Sequence, residues 1–217
     1  MTVSGGHRAD AAALARVTLP ALGAGLMLGR NRRQEPFVVR AFGPRPTMIA
    51  LLGGVWMARV MTLRAMAVGA RLVVHPNVAP VFNGFAEGAS ARRDRTVILE
   101  PERLSELPGV PHRPIWYVGD SAERPTEPWQ TTLSMLPQLT VSGVRLVMDA
   151  DLVVARTLTK PAAALTATAL RLPASQADYL QMISGDMIAV FGTGSYPYLR
   201  LGPTTIEQQL FGAARPD

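Results

Sequence analysis

The chain contains no cysteine. That excludes disulfides, cysteine-ligated zinc or iron–sulfur sites and thiol nucleophiles. Lysine is almost missing as well. Of 22 cationic side chains only Lys160 is not arginine, and no glycine-rich loop precedes it, so the chain has no Walker A motif. Histidine occurs three times, as His7, His75 and His112, far apart and without H-x-H or H-E-x-x-H spacing. No metal site is expected from them. Long apolar runs are lacking too. Residues 17–29 and 46–58 are each 13 residues long and closed off by arginine at both ends, and the longest uncharged run, 128–144, has 17 residues with Pro, Gln, Ser and Thr among them. A spanning helix needs about 20 predominantly apolar residues. Asp10 and Arg16 also interrupt any signal-peptide pattern, so the expectation is a soluble protein.

What is present describes a folded domain. The 217 residues are 48% hydrophobic and 18% charged, too apolar for disorder and long enough for a self-sufficient core. The formal net charge of +6 is unevenly spread. The first 100 residues carry a balance of +8 and the remainder −2, which points the amino-terminal half towards a negatively charged neighbour or a solvated face.

Apolar patterning alternates between strand and helix. Residues 1–36 read as a flexible or partly helical segment, with residues 11–16 its short Ala-rich helix. Residues 37–217 read as one domain. Residues 37–42 are short, β-branched and aromatic, as a strand requires. Residues 47–52 (TMIALL) form a continuous apolar run suited to a strand buried on both faces. Gly53-Gly54 then turns the chain, residues 55–68 have the pattern of a largely buried helix, Gly69 stands where a helix cap belongs, and residues 70–75 form a second strand. Strand, turn, helix and strand make a βαβ unit. Further strands are predicted at 96–99, 115–118, 131–136 and 152–156, with helices at 142–148, 161–170 and 174–183. Residues 187–191 and 196–201 flank Gly192–Ser195 as an antiparallel hairpin. Thr204-x-x-Glu207 opens a last helix at 204–211 as a capping box. The class is α/β and Rossmann-like, with a mainly parallel sheet and an antiparallel edge.

The motifs carry little chemistry. Gly53-Gly54-Val55-Trp56-Met57-Ala58 matches the first glycine and the final small residue of G-x-G-x-x-G/A. The second glycine, which admits the pyrophosphate, is Val55, followed by the bulk of Trp56. The acid that should hold the ribose is replaced by His75, so NAD is not expected. Ser195 lacks the G-x-S-x-G context of a nucleophile. Asp120, ending a predicted strand, is the best single carboxylate for a polar site, though a turn-forming Gly-Asp-Ser is the stronger explanation of it. The basic loops Arg30, Arg32, Arg33 and Arg92, Arg93, Arg95 lack interleaved aromatics, and nucleic acid is not the expected partner.

A set of segments resembles the cytosolic domain of the EccE family of actinobacterial type VII (ESX) secretion components. They are Arg45-Pro46-Thr47 with residues 48–59, residues 63–71, Pro128-Trp129-Gln130-Thr131-Thr132-Leu133 with Leu136-Pro137, Ala150-Asp151-Leu152-Val153, residues 189–201, Pro203-Thr204 and Leu210-Phe211-Gly212. The resemblance spans residues 37–212. It implies a non-enzymatic structural component without catalytic residue, metal or cofactor. Its partners would be other subunits of a secretion complex and an anionic membrane surface, and its place the cytoplasm, peripheral to the inner face of the membrane. The family usually carries amino-terminal transmembrane helices, which this chain lacks. The interaction candidates are then Trp56, Arg59, Trp129, Arg32 and Arg33. The alternative is a nucleotide- or phosphorylated-ligand-binding enzyme or sensor using Gly53, Gly54 and Asp120.

Overall fold

A computed structural model of the chain describes residues 25–82, 85, 96–98, 103, 107–120, 125–192, 194 and 197–213. The expected helix at 11–16, His7, the basic loop at 92–95, the end of the strand at 99 and Ser195 lie outside the described residues.

One ten-stranded sheet organises the molecule, in the order β2-β1-β10-β9-β8-β3-β7-β6-β4-β5. The strands are β1 (Leu26–Arg30), β2 (Pro36–Val39), β3 (Thr47–Leu52), β4 (Arg71–Val74), β5 (Thr96–Ile98), β6 (Ile115–Gly119), β7 (Gln130–Leu136), β8 (Leu152–Ala155), β9 (Met187–Phe191) and β10 (Tyr198–Arg200). The helices are α1 (Val55–Ala67), α2 (Val144–Asp149), α3 (Lys160–Ala169), α4 (Ala174–Met182) and α5 (Thr205–Phe211), and Pro76–Phe82 winds as a 3-10 stretch. From β8 to β5 the strands are parallel, whereas β9, β10, β1 and β2 extend the sheet in antiparallel fashion. The α/β class with a mainly parallel sheet is therefore the observed one.

The continuous apolar run of β3 has the environment its composition demands. It pairs with β7 on one side and β8 on the other. Ile49 and Leu51 pack into the core shared with α1, while Met48, Ala50 and Leu52 face the core shared with α2, α3 and α4. Helix α1 breaks off where Gly69 takes φ +98°, a conformation that costs a side-chain-bearing residue dearly. The capping box at α5 is formed in full: Thr204 Oγ1 accepts from Glu207 N–H and Glu207 accepts from Thr204 N–H.

Three details differ from the sequence reading. β1 is a full member of the sheet although residues 25–36 read as part of a flexible or helical segment, and the expected boundary at residue 36/37 falls inside β2. The two strands of the βαβ unit are parallel but not neighbours, because β7 and β6 lie between β3 and β4. Helix α5 is held to α1 by a buried ion pair, with Arg64 Nε 2.6 Å from Glu207 Oε1 and Arg64 Nη2 2.9 Å from Glu207 Oε2. The same guanidinium donates to the carbonyls of Met27, Leu28 and Leu201, tying β1 and the end of β10 to that helix pair.

Candidate functional site

The chain leaves β3 through α1 on one face of the sheet, and it returns from β7 to β8 through α2 on the other. Crossovers that diverge in this way mark a switch point at the carboxyl ends of the central strands, where ligands of open α/β sheets gather. Leu52 ends β3 and hands over to Gly53-Gly54. Helix α1 begins at Val55 with Gly54 as an extended cap, with no capping side chain and no acid in its first turn. Anion binding favours a helix amino end of that kind.

Beside that turn stands Arg156. Its backbone N–H donates to Leu52 O at 2.9 Å, which fixes it just past β8 and against the end of β3. Its side chain is 4% exposed. The guanidinium lies 5.5 Å from the centre of the Trp56 ring and donates to Gly185 O at 3.4 Å. A Cβ on Gly53 would stand 3.4–3.6 Å from the Arg156 stem, an ordinary van der Waals contact, so the arginine stem lies against the turn. The result is a buried cation beside a helix amino end that has no side-chain cap.

Trp56 does not obstruct this switch point. The sequence pattern sets its bulk where a pyrophosphate would approach. In the structure the ring is buried in the core and its indole N–H donates to Gly212 O at 3.1 Å. Further along the same rim, His75 follows β4 and Asp120 follows β6, with His75 Nδ1 3.7 Å from Asp120 Oδ1. His75 Nδ1 also accepts from Asn77 N–H at 3.1 Å, and its ring meets Tyr117 edge to face at 6.5 Å. Two strand spacings, about 10 Å, separate β6 from β3. Asp120 therefore shares the rim with Gly53 and Gly54 without adjoining them.

The interaction candidates are dispersed. Arg59 is half-buried and both Nε, at 2.8 Å, and Nη2 donate to Val81 O, so it braces the 3-10 stretch after β4. Trp129 is half-buried against the core at φ +60°, with its N–H on Gly43 O and its carbonyl on Ile115 N–H. Arg32 and Arg33 alone are fully exposed, in the β1–β2 turn. Among the described residues no group of three His, Asp or Glu could hold a metal ion, and no helix is long and apolar enough to cross a membrane. The sequence reading missed Arg156 as a site residue. Its signal was an arginine closing a buried apolar run at a strand's carboxyl end, next in space to a Gly-Gly turn.

These features define a mixed α/β domain of the Rossmann-like kind. Among solved structures, the cytoplasmic domain of the Thermomonospora curvata type VII secretion ATPase EccC shares the fold with a TM-score of 0.56 at 12% identity. The match covers 90% of this chain and 32% of that one. The genome packaging NTPase B204 of Sulfolobus turreted icosahedral virus 2, in complex with ATP-gammaS, aligns with a TM-score of 0.48 at 9% identity, over 73% of this chain and 97% of that one. No protein-family model matches the chain, and no curated protein does. The expectation of a non-enzymatic, EccE-like accessory component is corrected here. A solved structure that shares this fold across most of the chain is the cytoplasmic domain of a secretion ATPase, and the EccE-like role is not carried further.

Proposed function

We propose that this chain binds a nucleotide or a closely related phosphorylated ligand at the Gly53-Gly54 turn. The observation that carries the reading is the coincidence of a buried arginine, Arg156, with the amino end of α1, which has no side-chain cap, at the carboxyl edge of β3. The backbone N–H groups of the first helical turn would receive phosphate oxygens, and the Arg156 guanidinium would add charge-assisted hydrogen bonds. Without a P-loop lysine the proposal is one of binding, and hydrolysis is not part of it. A type VII secretion setting is supported from two sides, by the EccE-type sequence motifs and by the EccC fold. In that setting the other subunits of a secretion complex are the proposed partners.

Equilibrium titration with a fluorescent ATP analogue tests this, alongside thermal unfolding in ATP, ADP and pyrophosphate. A ligand at 100 times its dissociation constant stabilises the fold by about 2.7 kcal/mol. Arg156→Gln is expected to weaken binding about tenfold or more while leaving the unliganded protein folded. No binding of any phosphorylated compound at about 1 mM overturns the proposal.

A further inference from the structure

The β1–β2 turn and the start of β10 line a cavity of about 370 Å³, within the range of about 300–1,000 Å³ that ligand sites occupy. Arg32, Arg33 and Glu35 line it from the turn, Pro197 and Tyr198 from β10. Tyr198 packs on the same face of the sheet as Ala189, Ala155 and Leu52, opposite α1. Pairing sets these four in one row across β10, β9, β8 and β3. Three strand spacings, about 14 Å, therefore separate Tyr198 from the end of β3 and the Gly53-Gly54 turn.

The turn is organised around Asn31. Its Oδ1 accepts from the N–H groups of Arg33 and Glu35 at 2.9 and 3.0 Å, and its Nδ2 donates to the Glu35 carboxylate at 2.7 Å. The acid beside the cavity is thus engaged by a neutral amide. Arg32 and Arg33 are exposed, and neither guanidinium has a hydrogen bond or ion pair among the described residues. On the β10 side the Tyr198 hydroxyl donates to Gln176 Oε1 at 2.7 Å, which fixes the ring. Tyr179 stands beside it, 50% exposed, with ring centres 6.0 Å apart. No aromatic is interleaved with Arg30, Arg32 and Arg33 in sequence, yet the fold brings Tyr198 into their cavity and Tyr179 next to it. We infer that this cavity takes one base of a single-stranded nucleic acid against Tyr198, with Arg32 and Arg33 on the neighbouring phosphates. Unpaired cations beside a tyrosine pair match a ligand that carries both phosphate and ring, and a concave site needs a base freed from a duplex. An acidic peptide would satisfy the arginines and leave the aromatic wall unused.

The probe is a fluorescein-labelled oligothymidylate of twelve residues, measured by anisotropy against the full chain. Binding is expected, and two phosphate contacts should weaken it about sevenfold between about 50 and 200 mM salt. An abasic strand of the same length and charge removes the stacking with the protein untouched, and should bind at least about fivefold more weakly. Arg32→Glu with Arg33→Glu, both at exposed positions, should cost about tenfold or more with Tm unchanged. Equal binding of the abasic strand, duplex binding as tight as the single strand's, or wild-type affinity in the double variant overturns the inference. So does the absence of binding at about 1 mM. A glutamate peptide of twelve residues that binds as tightly as the oligonucleotide overturns it too, because the patch would then serve an acidic protein segment.

Discussion

Replacing Glu207 by alanine removes more than one contact. The carboxylate is 2% exposed, takes two hydrogen bonds from Arg64 and one from the backbone of Thr204, and belongs to the capping box of α5. Its loss leaves the Arg64 guanidinium buried with three carbonyl partners and no counter-charge. Breaking a buried pair from one side costs about 3–5 kcal/mol. The remaining carbonyls offset part of that, so about 3 kcal/mol is expected. For a chain of this size each kcal/mol is worth about 2–4 °C, which makes a fall in Tm of roughly 6–12 °C. Replacing both partners, as Arg64→Met with Glu207→Leu, removes the uncompensated charge and should cost less than the single change. The pH dependence follows from the carboxyl itself. Burial pushes it up, but the hydrogen bonds from Arg64 and Thr204 and the Arg64 charge outweigh burial and hold it below the ordinary glutamate range. A carboxyl lowered on folding stabilises in full above its unfolded value of about 4.3, and the benefit is lost as the pH falls through the folded one. Urea unfolding of the wild type and of Glu207→Gln should therefore differ most at neutral pH and converge in acid. A single-variant loss below about 1 kcal/mol, or a gap that widens below pH 4, refutes this account.

Thr62→Val strips the acceptor from Trp116 Nε1, which donates to Thr62 Oγ1 at 3.0 Å with both residues fully buried. A loss of about 1–3 kcal/mol by chemical denaturation is expected, and Thr62→Ser should recover most of it. Gly192→Ala forces a side chain onto φ +105° and sets its Cβ 2.3 Å from Asp151 O, so about 2–4 kcal/mol should be lost in the same assay. Gln130→Leu tests the reverse case. The Gln130 amide nitrogen is buried without a hydrogen-bond partner among the described residues, and its removal should leave Tm unchanged or raise it, by about 1 kcal/mol of stability at most.

The elements written by local pattern were legible. TMIALL, Gly-Gly and a helix closed by Gly69 announce β3 and α1, because continuous apolarity and glycine punctuation are properties of neighbouring residues. β1 was not, because Leu26-Met27-Leu28 sits between glycines at 25 and 29 and reads as punctuation until β10 supplies a partner. The place of β6 and β7 between β3 and β4 depends on pairings between distant segments, which no window of sequence contains. The site divided likewise. Gly53, Gly54 and Asp120 stood at the ends of recognisable strands, while Arg156 joined them only once β8 was set against β3. The contact of Arg59, an interaction candidate by sequence, with the carbonyl of Val81 was not legible, because that acceptor lies in a 3-10 stretch that carries no strong periodic signal.

The position of β3 also governs how the chain must be made. It is the spine of the sheet, yet its partners Gln130–Leu136 and Leu152–Ala155 leave the ribosome long after it does. At about 5–20 residues per second the TMIALL strand waits for seconds with both edges open. During that interval it is the most aggregation-exposed part of the nascent protein, and a chain cut short before residue 152 keeps it so. Assembly around β3 is therefore a late event, slow for its many long-range pairings and dependent on whatever shelters that strand meanwhile.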